Sequence, residues 1–327
     1  MKMKMGILGA GNIAKTMART IREMPEVTSW AVASRNMEKA QAFAEEFGFE
    51  HAYGSYEELV SDPEVDLIYV ATPHSHHFAH AKLCVEHGKA ALVEKSFTQN
   101  AAQAKELLAL AKEKRVLVTE AIWTRYMPSR KMVNDLIAGG AIGTPYSLYA
   151  TLSYPIADKE RIMKPELAGG ALLDIGIYAL NFASMVFGDD VKEQKVEALL
   201  NDKGVDLAEN ITLIYNDNKM AVLHSDVRVS DNREGAVYGD KGCLIVQNIN
   251  NCEKITIYNN AHEVVQEIEV PKQITGYEYE VLACKEALEK GALECPQMPH
   301  AQSIHMMEVM DKLRGKMGVV YPGETND

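Results

Sequence analysis

Residues 90–97 read AALVEKSF, four apolar residues followed at once by Glu94 and Lys95. A strand buried between two helix layers is a continuous apolar run, so charges placed where it ends need a reason. A second pair stands in LLDIGIYALNFASMVFG, where Asp174 and Tyr178 are four residues apart and share one face of a predicted helix. A phenol transfers a proton at neutral pH only when its pKa is lowered from about 10, and a nearby ammonium favours the phenolate. Lys95, Tyr178 and Asp174 are therefore candidates for proton exchange with an oxygen of a substrate. The plain alternatives are a strand-end charge for Lys95 and a polar patch on a core helix for the other two. The HSHH cluster at 74–77, with His80, suggests chelation. However, His76 and His77 are adjacent and no carboxylate or cysteine completes a site. No metal is expected; cofactor-loop and helix-start roles suit these histidines better.

The elements that must position these residues follow two patterns. Up to about residue 120, short apolar runs (MKMGILGAG, WAVASR, DLIYVATP, KAALVE, VLVTE) alternate with helical spacings. Strand and helix in turn imply a parallel, doubly wound sheet with right-handed crossovers. Beyond Ile122 one helical pattern (SRKMVNDLIAGG) and one apolar helix are accompanied by successive strand-like runs, from TPYSLYATLSY to EVVQEIEV, punctuated by Asn, Asp and Gly. The expected fold is α/β: a doubly wound Rossmann domain at 1–122, then an α+β domain at 123–327 with a large, mostly antiparallel open sheet. Tyr146, Tyr149 and Tyr154 on one predicted strand are expected to serve sheet packing.

Between the first strand and first helix stands Gly9-x-Gly11-x-x-Ala14. Gly9 suits the tight turn, Gly11 lets backbone approach a pyrophosphate, and Ala14 is small where helix packs on strand. The helix start at Asn12 and Ile13 offers free N–H groups and a positive dipole end to the phosphates. The second strand ends AVASRN, where a site selective for the unphosphorylated cofactor would carry Asp or Glu. Ser34 and Arg35 suit a ribose 2′-phosphate instead, so NADP is expected, with NAD the alternative.

Bulk properties narrow the field. The chain has 327 residues, 34 basic against 46 acidic, and a net charge of −12. That balance disfavours a nucleic-acid backbone or an anionic membrane surface as partner. The most apolar stretch, 169–188, is broken by Asp174 and Asn181 and is a poor bilayer span. Five cysteines without a Cys-x-x-Cys imply neither disulfide framework nor zinc knuckle. With no basic-then-apolar leader, reduced thiols and a cytoplasmic location are expected.

YVATPHSHH, EKS and GGALLDIGIYALNFASMVFG together resemble the Gfo/Idh/MocA family of oxidoreductases, and TEAIWTRYMPS most resembles its dimeric dihydrodiol dehydrogenase branch. The resemblance spans nearly the whole chain. It implies a lysine beside the nicotinamide at Lys95 with Glu94 before it, an acid/base tyrosine at Tyr178, and a carboxylate one turn earlier at Asp174. It also implies a loop beneath the cofactor at Thr72, His74 and His77, and a pocket-lining Trp123. Where the family has proline after the Glu-Lys pair, this chain has Ser96, which leaves the backbone freer. The resemblance thus implies an NADP-dependent enzyme exchanging hydride with a secondary alcohol or carbonyl of a small polyol, sugar or cyclic diol. It further implies a homodimer or higher homo-oligomer built on the C-terminal sheet. A non-catalytic dinucleotide sensor of the same fold is the alternative from another class; it would need none of Lys95, Asp174 and Tyr178.

Overall fold

The computed structural model describes residues 2–324. They form two units, one of residues 2–126 with 273–307 and the other of 127–272 with 308–324.

In the first unit β1 (Met3–Leu8), β2 (Val27–Ala33), β3 (His51–Tyr53), β4 (Leu67–Val70), β5 (Ala90–Glu94) and β6 (Val118–Ala121) form one sheet. Its order is β3-β2-β1-β4-β5-β6, with every pairing parallel. The chain crosses between strands through α1 (Asn12–Arg22), α2 (Met37–Phe47), α3 (Tyr56–Ser61), α4 (His74–Glu86) and α5 (Ala101–Lys114). Every residue of β4 and β5 is buried, as expected of strands covered on both faces. Each fully buried Leu, Ile or Val contributes about 1.5–3 kcal/mol. Local signals fix the helix ends. Asn36 Oδ1 accepts the Lys39 N–H at 2.9 Å, Gly48 closes α2 in the left-handed conformation, and Ser55 with Glu58 forms a capping box on α3. The strand order reverses between β1 and β4, the switch point at which such sheets open a crevice for ligand.

In the second unit α6 (Pro128–Ala138) precedes β7 (Pro145–Ser153), the short α7 (Glu160–Met163) and α8 (Ile177–Phe187). Then come β8 (Val191–Leu200), β9 (Asp206–Tyr215), β10 (Met220–Asp226), β11 (Gly235–Gly239), β12 (Gly242–Gln247), β13 (Lys254–Asn259) and β14 (Val264–Glu269). The eight strands run β14-β13-β12-β11-β7-β10-β9-β8, and only β7 with β10 is a parallel pair. The fold is therefore the expected one, Rossmann unit plus mostly antiparallel open sheet. Residues 165–187 are long and apolar enough to cross a membrane, but most of that stretch is buried within the protein. Tyr146 and Tyr149 are about half exposed rather than packed, and Tyr149 meets Tyr238 of β11 edge-on at 5.7 Å. After β14, α9 (Glu278–Glu289) returns to the first unit and α10 (His300–Met317) follows.

Candidate active site

Gly9 has φ +109°, and a Cβ there would lie 2.8 Å from the Ala71 carbonyl oxygen, so only glycine fits. At Gly11, by contrast, a Cβ would meet nothing within 4 Å; the space over this turn is open. α1 begins immediately after Gly11 with no side-chain cap and no acidic residue in its first turn. The N–H groups at Asn12 and Ile13 therefore face an open, positively polarised space, and Ala14 is buried against the sheet. An open cradle of uncapped N–H groups fits a dinucleotide pyrophosphate. At the end of β2, Ser34 is buried and Arg35 exposed.

Lys95 is half-buried where β5 ends, and the peptide joining it to Ser96 is cis. The backbone about it is gripped from three sides. Glu94 Oε2 accepts the Lys95 N–H at 3.1 Å while Glu94 Oε1 accepts the Tyr69 hydroxyl. His77 Nδ1 lies 2.7 Å from the Ser96 carbonyl oxygen, and its Nε2 lies 2.7 Å from the Thr72 carbonyl oxygen. Glu120 Oε1 accepts the Phe97 N–H at 3.1 Å. Ser96 is thus fully buried and held through its carbonyl, without the ring a proline would supply.

Burial pushes the His77 imidazole down to about 4, against the pull of the two carbonyls, so the ring is neutral. Each nitrogen faces a carbonyl oxygen, and the neutral ring donates its one N–H to one of them. His74 is buried and packs edge-on against it at 5.6 Å. Burial pushes the Glu120 carboxyl up to about 7, opposed by the Ser303 hydroxyl and the Arg125 charge. On α9, the wholly buried Glu280 faces Glu94, and burial with that neighbour pushes its carboxyl well up. Trp123 is 5% exposed and stacks on Tyr277 at 4.0 Å and 12°.

In the second unit Asp174 lies in a π-helical segment, Leu172–Gly176, that runs directly into α8, where Tyr178 is the second residue. Such π-turns within helices recur at functional sites. Both side chains are buried. Arg161 holds Asp174 through two bonds, Nη1 to Oδ1 at 2.6 Å and Nη2 to Oδ2 at 3.3 Å. The segment is anchored from β9. Asp206 Oδ2 accepts the Leu172 N–H at 2.6 Å, and Gly170, φ +116°, leaves the room Asp206 needs. Glu209 lies so close to Gly176 that a Cβ there would be 2.4 Å from its Oε1. Burial and the Asp206 charge push the Glu209 carboxyl well up.

Gly9, Gly11, Asn12, Ile13, Ser34, Arg35, Thr72, His74, His77, Glu94, Lys95 and Trp123 all lie in the first unit, and Asp174 with Tyr178 in the second. Sequence reasoning missed Tyr69, Glu120 and Tyr277 around Lys95 and Trp123, and Arg161, Asp206 and Glu209 around the Asp174 helix. Glu120 carried a signal: a charge in the apolar run VLVTEA, like Glu94 in its own strand.

A doubly wound sheet with an open glycine cradle at its switch point, and a lysine clamped at the next strand end, defines an NAD(P)-dependent oxidoreductase. Residues 3–122 match the model of the oxidoreductase family with an NAD-binding Rossmann fold, and 131–245 match the GFO/IDH/MocA C-terminal domain. The chain belongs to the Gfo/Idh/MocA family of NAD(P)-dependent dehydrogenases and reductases. It is 34% identical to trans-1,2-dihydrobenzene-1,2-diol dehydrogenase of Xenopus tropicalis, over 98% of this chain and 100% of that one. It is 32% identical to a D-xylose 1-dehydrogenase (NADP(+)) of Hypocrea jecorina, over 98% and 93%. Its fold matches a 3-ketoreductase from Actinomadura kijaniata in complex with NADP and TDP-benzene, with a TM-score of 0.85 at 24% identity over 96% and 97% of the two chains.

Proposed function

We propose that this protein is an NADP-dependent oxidoreductase acting on a secondary alcohol or carbonyl of a small polyol, sugar or cyclic diol. The observation that carries the reading is the three-sided grip of Glu94, His77 and Glu120 on the backbone around Lys95, in the unit that also holds the cradle. A lysine that only marked a strand's exit would need no such grip. The dihydrodiol and xylose dehydrogenases among its relatives support the substrate class. Ser34 and Arg35 at the end of β2, where a carboxylate would repel a phosphate, support NADP.

When bound, the cofactor supplies or accepts the hydride at its nicotinamide. The uncapped N–H groups of Asn12 and Ile13 hold its pyrophosphate, and Arg35 its 2′-phosphate. Lys95 is the lysine beside the nicotinamide, and Tyr178 is the acid/base residue that exchanges a proton with the substrate. Asp174, fixed by Arg161, orients the helix start from which Tyr178 projects. Trp123, held flat against Tyr277, offers an apolar wall for a ring or carbon chain. The half-exposed Tyr149, Tyr238 and Met220 on the C-terminal sheet support assembly as a homo-oligomer through that sheet. Five cysteines free of disulfides fit a cytoplasmic setting.

The test is turnover on a panel of polyols, aldoses and cyclic diols with NADP, for the native protein and for Lys95→Met and Tyr178→Phe. Both variants should still bind NADPH while losing at least about a hundredfold in kcat, the usual scale of acid–base catalysis. Full turnover by either variant would end the assignment of that residue.

A further inference from the structure

Four side chains from three elements converge just beyond the end of β2. Arg35 follows the strand and is exposed; Tyr56 is the first residue of α3; His76 and His80 lie one turn apart at the start of α4. Burial raises the Tyr56 phenol, and the Arg35 charge opposes that rise. Its ring meets His80 edge-on at 4.7 Å, and His80 stacks on His76 at 5.6 Å and 27°. His80 Nδ1 lies 3.0 Å from Thr72 Oγ1, and His76 Nδ1 lies 2.9 Å from Ser75 Oγ. These contacts fix the rings and engage His76 through Nδ1. His76 itself is half-buried at the same sheet end as Arg35.

We propose that His76 is a second ligand for the ribose 2′-phosphate beside Arg35, and that it takes up a proton as that phosphate binds. The preference for NADPH over NADH is then set by pH. This rests on the reading of Arg35 as the 2′-phosphate residue. Two cations at one sheet end repel until an anion lies between them. In the free protein, burial and the Arg35 charge accordingly hold His76 below its ordinary value. A phosphate dianion reverses the sign of that field and draws the proton on. The groups bearing on His76 are Arg35 from the β2 end and, on its own helix, His77 and His80, with Tyr56 of α3 reaching it through His80. The neighbouring rings are engaged elsewhere, His77 on the Ser96 and Thr72 carbonyls and His80 Nδ1 beside the Thr72 hydroxyl, and both are held down to about 4.

Linkage fixes the direction. A proton gained on binding makes NADPH affinity rise as pH falls, by up to about tenfold per pH unit for one proton. The window runs upward from the lowered value of His76 in the free protein, and the phosphate's own second ionisation near about 6 closes it from below. NADH, with no 2′-phosphate, should show no such slope.

The test is calorimetric titration of the full chain with NADPH and with NADH between about pH 8.5 and 6.5, in two buffers of different ionisation enthalpy so that protons are counted. The native protein should bind NADPH several-fold more tightly at the acid end with net proton uptake, and NADH without either. His76→Gln, a half-buried change, should bind NADPH without that uptake and with a Kd flat across the window. Equal slopes for the two cofactors, or an unchanged slope and proton count in His76→Gln, would overturn the inference. If NADPH still outbinds NADH at every pH in those cases, the cofactor reading stands without it. If NADPH never outbinds NADH, both fall.

Discussion

Glu120 and Phe97 are 23 residues apart in the chain, yet Glu120 Oε1 accepts the Phe97 N–H at 3.1 Å. The contact bridges the ends of adjacent strands, β5 and β6, and immobilises the chain just past Lys95. Glu94 does the same just before it and His77 in between. A flexible side chain gains precision only when its own backbone is fixed, which is the service these three residues perform for Lys95.

Removing the acceptor should therefore separate positioning from binding. Glu120→Ala leaves a buried N–H unpaired, a cost of about 1–3 kcal/mol. It should lower kcat with little change in the NADPH dissociation constant. Glu120→Gln keeps an acceptor oxygen and should retain most of kcat. Stopped-flow turnover beside a cofactor titration tells the two outcomes apart, and an equal loss in both variants would deny the positioning role.

The same grip gives stability opposite pH slopes from two residues. Glu120 is raised from 4.5 to about 7, so the folded state holds its proton longer than the unfolded chain; stability is lost as pH rises from about 4.5 to about 7. The full effect is on the order of 3 kcal/mol, because each tenfold change in proton affinity is worth about 1.4 kcal/mol. His77 is lowered from 6.5 to about 4, so its contribution is present above pH 6.5 and lost as pH falls toward about 4. Urea melts across pH should show Glu120→Gln flattening the loss on the alkaline side and His77→Gln flattening it on the acid side. Identical profiles for the two variants would refute both assignments.

Much of this was legible in the sequence, and the failures have physical causes. Gly9, Gly11 and Lys95 stood out because a tight turn and a strand-end charge break local rules visibly. The strand β3 is three residues long, too short for alternation to register. The edge strand β8, VKEQKVEALL, is half polar and opens on a run of charged and amide residues, so it reads as a solvated segment. The π-helical turn at Leu172–Gly176 hides inside an unbroken apolar helix pattern. Arg161, Asp206 and Glu209 act across sequence gaps that no spacing rule spans; Glu209 lies far along the chain from Gly176, the glycine it touches.

Arg161 offers a direct test of that hidden support. Asp174 is buried and its partner's side chain is 40% exposed, so the pair is partly screened. Arg161→Met takes the guanidinium away from a buried carboxylate, at an expected cost of about 1–3 kcal/mol. Combining Arg161→Met with Asp174→Asn should recover part of it, because the buried carboxylate charge is then gone as well. Thermal melts of the single and double variants measure the coupling; strict additivity would mean that the pair does not hold the helix start.

Gly176 and Glu209 set a tight steric constraint at the start of α8. A methyl at Gly176 would sit 2.4 Å from Glu209 Oε1, and the carboxyl has no open space beside it because it is fully buried. Gly176→Ala should therefore destabilise the second unit by about 1–3 kcal/mol, the usual range for overpacking. It should also displace the helix start that carries Tyr178, lowering kcat more than it weakens NADPH binding. Glu209→Gln keeps the size of the side chain, and with the carboxyl already held well up it should be far milder than Gly176→Ala in both measurements. Glu209→Ala combined with Gly176→Ala opens the space the methyl needs and should restore kcat beyond Gly176→Ala alone. If the double variant is no faster than the single one, the clash with Glu209 is not what the glycine avoids.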